Sequence, residues 1–217
     1  MRRTDLESPP PLSLAAPTGA VELVNGAQHF TRVVRDGILK AKVSIDIATA
    51  DFKAMLVPGA SGMNGIHGVG ECRRSAGRRR ASGTGDAVSI VEVFRCLASR
   101  GVEVRVLHAG VPSSPALREL RSALPSGLTI RRCPRIHMKA IIIDCASMYL
   151  GSANLTGAGL GAKGQNKRNF ELGVWTTATP LIDSVLGEFN ALWEGQRCKA
   201  CQRKDVCPVP LEEPKLS

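Results

Sequence analysis

The chain has 217 residues and carries 29 Lys and Arg against 19 Asp and Glu, a formal net charge of +10. A hydrophobic content of 43% with 22% charged residues is that of a globular protein with a real core, which excludes wholesale disorder. No run of about 18 apolar residues occurs, which excludes a membrane-spanning helix, and at roughly 150 residues per domain the length fits one domain with appendages.

In chain order, residues 1–18 read as a flexible tail: Arg2 and Arg3 are followed by no continuous apolar stretch of the kind a secretory signal needs. Between 27 and 41, Phe30, Val33, Val34 and Ile38 recur at helical spacing. Val43, Ile45 and Ile47 then alternate with smaller or polar residues, a strand pattern. From Gly59 to Gly85 periodicity stops; the stretch holds eight glycines and Arg73, Arg74, Arg78, Arg79 and Arg80. It is too long for an ordinary connection and reads as a functional or disordered loop.

Order returns with Asp86 as the expected N-cap of a helix that runs to a stop at Gly101. Val102, Val104 and Val106 mark a strand. Ser114 and Pro115 open a second helix with Leu117, Leu120 and Leu124 on its buried stripe. LTIRRC and MKAIIID are further strands, the latter apolar enough to be central. A short strand over Met148–Leu150 and another in NFELGVWT follow, before Thr179 and Pro180 open a last helix facing the core through Leu181, Val185, Phe189 and Leu192. The alternation predicts an α/β fold over residues 19–195, a layered mixed β-sheet flanked by helices, with a short cysteine-containing tail over 196–217.

The chemistry concentrates in one segment. His137 and Lys139 stand two apart at the start of a predicted strand, so both side chains leave one face. One is a titratable imidazole and the other a permanent cation able to hold a phosphate. Asp144 lies five residues beyond Lys139, and Gly151-Ser152-Ala153-Asn154 offers a hydroxyl, a carboxamide and a permissive turn. A lone His-x-Lys would be unremarkable, but the whole spacing His-x-Lys-x4-Asp-x6-Gly-Ser-x-Asn resembles the motif of the phospholipase D superfamily. Asn169-Phe170-Glu171 resembles the Asn-x-Glu that follows it in many members.

The resemblance implies that fold and a metal-independent phosphodiesterase in which His137 attacks phosphorus and becomes a covalent phosphohistidine. Lys139, Ser152 and Asn154 would hold the non-bridging oxygens, and Glu171 would accept a hydrogen bond from the second nitrogen of His137. Asp144 belongs to the motif, although in this family it often balances charge or structure. The family supplies the leaving-group acid from a second motif copy. This chain has a single copy, since His29, His67 and His108 lack the pattern, so a homodimer pairing two His137 rings is expected.

Three substrate classes compete. The net charge, the arginines from Arg73 to Arg80, and Arg131, Arg132, Arg135, Lys163, Lys167 and Arg168 around the motif favour an endonuclease, with DNA or RNA as partner. Of these, Arg73, Arg74, Arg78, Arg79, Arg80, Arg135, Lys167 and Arg168 are the candidate nucleic-acid contacts. A phospholipid phosphodiesterase would call for an acyl slot or an aromatic-rich interfacial helix, and neither is visible. A non-catalytic nucleic-acid-binding subunit of a defence or repair complex would have no need of the intact catalytic set. An aromatic content of 4% argues against recognition by base stacking.

Seven cysteines, an odd number without an export signal, predict a reduced, cytoplasmic setting. Cys198-x2-Cys201-x5-Cys207 supplies three ligands of a tetrahedral thiolate site. Cys133 is the preferred fourth, ahead of Cys72, whereas Cys96 and Cys145 read as buried in regular elements. The expected group is structural zinc, with a [4Fe–4S] cluster as the alternative, and no cofactor is expected for catalysis.

Overall fold

The computed structural model describes residues 19–58, 87–120 and 124–211. The N-terminal tail, the predicted cap Asp86, and the loop with Arg73, Arg74, Arg78, Arg79, Arg80, His67 and Cys72 lie outside the described residues.

Seven strands form one mixed sheet: β1 (Val21–Asn25), β2 (Ser44–Thr49), β5 (Glu103–His108), β6 (Leu128–Arg132), β7 (Ala140–Ile143), β8 (Ser147–Gly151) and β9 (Leu172–Thr176). Their order is β1-β9-β8-β7-β2-β5-β6. β2, β5 and β6 are parallel, whereas β7, β8, β9 and β1 pair antiparallel. A separate two-stranded ladder joins β3 (Leu56–Val57) to β4 (Val88–Ser89).

Period-two alternation sends the strand side chains to two cores. Ile45, Ile47, Ile141 and Ile143 pack with Val33, Val34, Phe94 and Leu97 on one face, the side of helix α1 (Ile90–Ser99). On the opposite face, Ile142 and Met148 meet Ile182, and Ala48 and Leu107 meet Phe189 and Trp193; these three partners come from helix α3 (Thr179–Trp193). β7 is the fourth of seven strands and buried on both faces, which is why AIII carries no polar alternation. The face under α3 also holds a buried ion pair: Asp46 accepts from Arg105, whose guanidinium stands 5.1 Å from the Phe189 ring centroid and 5.5 Å from that of Trp193.

Several local expectations are corrected. The predicted helix over 27–41 is a π-helical stretch, His29–Arg35, and a 3₁₀ turn, Ile38–Lys40. Gly37 separates them, where any Cβ would collide with the Val33 carbonyl and the Trp175 ring. α1 is capped by Ser89, whose hydroxyl accepts the Glu92 N–H at 3.1 Å, while Val88 and Ser89 belong to a strand. Its stop is as expected, with Gly101 at φ +89°. Helix α2 (Ser114–Leu120) buries Ala116 and Leu120 rather than Leu117. α3 buries Ile182, Phe189 and Trp193, with Leu181, Val185 and Leu192 only partly covered. Strand β1 is an edge strand of mostly exposed residues, and no periodicity announced it.

Candidate active site

The sheet register brings the motif together. Ala48 of β2 faces Ala140 of β7, Ala140 faces Leu150 of β8, and Gly151 faces Gly173 of β9. The segments leaving those strands therefore share one end of the sheet: residues 50–53 after β2, 137–139 before β7, 152–155 after β8 and 169–171 before β9. His137 is exposed there. Lys139 Nζ lies 3.3 Å from its Nδ1 and 3.5 Å from its Nε2, and donates to the His137 carbonyl at 2.7 Å. Both residues precede β7 rather than open it, so their common direction comes from this lysine contact and not from strand pleating.

The Gly-Ser-x-Asn turn is held from below. Asn154 Oδ1 accepts the N–H groups of Ala50 and Asp51, each at 3.1 Å, while the Thr49 hydroxyl donates to the Asp51 carbonyl at 2.8 Å. With the carbonyl end so occupied, the amide hydrogens of Asn154 are the end available to a substrate oxygen. Thr49 Oγ1 also accepts the Leu155 N–H at 3.0 Å. The Ser152 hydroxyl donates to Glu171 Oε2 and accepts the Leu172 N–H at 3.0 Å, and Asn169 Nδ2 donates to Glu171 Oε1 at 3.0 Å. Glu171 is thus engaged through both oxygens with Ser152 and Asn169, a correction to its expected place against His137.

Asp144 is the second correction. It stands at the far end of β7 from Lys139, about 16 Å away at roughly 3.3 Å per residue. Its carboxylate accepts the N–H groups of Lys42 (3.1 Å), Val43 (2.7 Å) and Ser44 (3.0 Å). It ties the start of β2 to the β7–β8 turn and touches none of the other motif side chains.

Sequence reasoning missed the support beneath this end of the sheet. Tyr149, fully buried, accepts the Ala153 N–H at 3.1 Å and meets His29 Nε2 at 3.1 Å. His29 Nδ1 faces the Gly26 carbonyl at 3.2 Å. A carbonyl only accepts, so Nδ1 carries the proton and Nε2 receives the tyrosine hydrogen. Burial, assisted by the Glu171 charge, pushes the Tyr149 pKa up to about 12, and burial pulls that of His29 down. Gly151 and Gly173 line the tyrosine, and a Cβ at either would overlap its ring or hydroxyl. Those two glycines were the signal available in the sequence.

Of the candidate phosphate contacts, Arg135 and Lys167 are exposed and Arg168, half-buried, donates to the Lys163 carbonyl at 2.6 Å. Arg131, one of the other basic residues around the motif, donates to the Trp193 carbonyl and lies 4.7 Å over the Trp193 ring. Arg132 is likewise tied to the Ala109 carbonyl at 3.2 Å. Cys145 is exposed in the β7–β8 turn rather than buried, whereas Cys96 is buried as expected.

Residues 84–193, just over half of the chain, match the family model described as the PLD-like domain of cardiolipin synthase. The chain belongs to the phospholipase D-like family. No curated protein matches the sequence. Among solved structures, a phospholipase D family member, Nuc from Salmonella typhimurium, superposes with a TM-score of 0.54 at 21% identity, covering 81% of this chain and 95% of that one. NucT from Helicobacter pylori gives 0.52 at 16%, covering 81% and 96%. Phosphatidylserine synthase from Haemophilus influenzae gives 0.51 at 15%, covering 79% of this chain but 36% of that one. At these identities the likeness is one of fold. It matches the mixed seven-stranded sheet flanked by helices, so the phospholipase D-like fold expected from the motif is the fold observed. Among the described residues no helix is long and apolar enough to cross a membrane.

Proposed function

We propose that this phospholipase D-like protein is an endonuclease that hydrolyses phosphodiester bonds through a phosphohistidine, without a metal ion in its catalytic slot. The observation that carries the reading is the exposed His137 ring against the Lys139 ammonium, with Ser152, Asn154 and Glu171 at the same end of the sheet. A histidine nitrogen attacks phosphorus, the bond to the leaving oxygen breaks, and an acid returns a proton to that oxygen. Water then attacks the phosphohistidine and releases the phosphate monoester. Lys139 supplies positive charge and the Asn154 amide hydrogens supply donors where the non-bridging oxygens sit, beside the Ser152–Glu171 pair. The net charge of +10 and the exposed Arg135, Lys163 and Lys167 favour a polyanionic substrate over a lipid.

The acid comes from a second copy of the chain in this reading. Among the described residues the other histidines, His29 and His108, are fully buried. Beside the slot an apolar strip is open: Phe170 is fully exposed, and Leu172, Leu23 and Val21 are each more than half exposed. Leu23 pairs with Val174, so Val21, Leu23, Val174 and Leu172 share the sheet face that α3 covers only further along. A two-fold partner on this strip would bring two His137 rings towards one phosphorus.

His137→Ala should lower plasmid cleavage in EDTA by at least about a thousandfold while leaving the circular dichroism unchanged. Retained cleavage would remove the nucleophile, and release of headgroups from phospholipid vesicles without cleavage of DNA or RNA would replace the nuclease by a lipid phosphodiesterase. A monomer in sedimentation that is fully active at the same concentration would refute the shared site.

A further inference from the structure

After α3 the chain runs from Glu194 to Leu211 without a helix or strand, held by single turns such as Cys198 N–H to Gly195 O and Cys201 N–H to Cys198 O. Apart from Leu211, which packs beside Phe189 and Trp193, it contributes no apolar side chain to the cores. A segment of this length with so little core needs another tie to keep one conformation.

Cys198, Cys201 and Cys207 of this tail line one cavity of about 580 Å³ together with Cys133, which arrives from the end of β6, 65 residues earlier than the first of them. Among the cysteines the structure describes, these four are in that cavity, whereas Cys145 sits in the β7–β8 turn and Cys96 is buried in α1. Four thiols that face one cavity from two separate segments supply the donor set that a thiolate-preferring cation takes up, with loss of the thiol protons.

We propose that Cys133, Cys198, Cys201 and Cys207 form a tetrahedral site for one thiolate-preferring divalent cation, zinc by chemical class, which ties the tail to the segment carrying His137. Among the described residues no three His, Cys, Asp or Glu side chains are already gathered to hold an ion. Two sulfurs are engaged elsewhere: Cys201 Sγ by the Arg135 guanidinium at 3.4 Å, and Cys207 Sγ with the Val209 carbonyl at 3.7 Å. Ion binding replaces those two contacts by rotation of side chains on a tail that has no regular element to resist it. Cys133 lies four residues before His137 and donates its backbone N–H to the His108 carbonyl at 2.9 Å. His137 lines the same cavity, so the ion would sit beside the slot. The site stands whether or not the protein cuts nucleic acid.

The test is metal analysis of the full chain purified without chelators. One zinc per chain is expected in the natural protein and in Cys145→Ser, and less than a tenth of that in Cys133→Ser and Cys201→Ser. Cobalt in place of zinc should give the thiolate charge-transfer and intense visible bands of a four-sulfur tetrahedral site. If the cysteine variants fail to fold, the cobalt spectrum and stoichiometry of the natural chain still decide. Full zinc content in Cys133→Ser, a natural chain that binds no zinc when it is supplied, or a brown iron–sulfur chromophore after anaerobic purification would each overturn the proposal.

Discussion

At the scale of single residues, the motif side chains are exposed or half-buried, and their geometry is borrowed from buried neighbours. Tyr149 is the clearest lender, since one hydroxyl orders the Ala153 N–H between Ser152 and Asn154 and closes a chain of bonds through His29 to Gly26. Tyr149→Phe strands the Ala153 N–H and the His29 ring in a dry interior. Stability should fall by about 1–3 kcal/mol, read as a lower urea midpoint with unchanged m-value, and kcat should fall with it while retained stability would deny the network its role. The motif that marks the family was legible because it is a matter of residue types and spacing. The partners of Glu171 were not, because a carboxylate two residues from a strand can reach several donors, and only folding selects Ser152 and Asn169.

At the scale of elements, the β7–β8 connection accounts for the place of Asp144, which stands apart from the other motif side chains. Asp144 and Cys145 both have positive φ, 54° and 51°, and the Ala146 N–H closes on the Ile143 carbonyl at 3.0 Å. Left-handed central residues suit a tight hairpin, and aspartate tolerates that region better than most. Its carboxylate then gathers three N–H groups at the start of β2. Asp144→Ala should cost roughly 1–3 kcal/mol in chemical denaturation while kcat per folded molecule stays within about threefold. A thousandfold loss of kcat in a fully folded variant would return Asp144 to the chemistry. Strong strands and the long helices were readable from period two and period 3.6. The stretch over 27–41 was not: its apolar spacing is helical, but the chain divides into a π-helical and a 3₁₀ piece at Gly37, where Val33 and Trp175 leave no room for a Cβ.

At the scale of the molecule, two fully buried histidines set the response to acid. Burial lowers the pKa of His29 and of His108 below the ordinary 6.5, and His108 is also opposed by the Arg132 charge. Below 6.5 the unfolded chain binds more protons than the folded one, so stability rises with pH across that window and is lost as pH falls through it. His108 is the costlier to charge, since its Nδ1 donates to the Gly110 carbonyl and its buried Nε2 has no partner among the described residues. The melting temperature should fall progressively from about pH 7 to about pH 5, with a shallower slope in His108→Gln. A flat profile would contradict the assignment. Asp46 acts in the opposite sense at the acid end, because burial outweighs Arg105 and raises its carboxyl above 3.8.

The sequence by itself determined the motif that marks the family, the alternation of strands and helices, and the cysteine spacing of the tail, because each depends on residue type over short distances. The tertiary structure alone decided that Glu171 faces Ser152, that Asp144 pins β2, that Tyr149 and His29 support the turn, and that Cys133 shares a cavity with the tail. Those outcomes depend on contacts between segments far apart in the chain, and such contacts are fixed by sheet order and register, which local spacing does not encode.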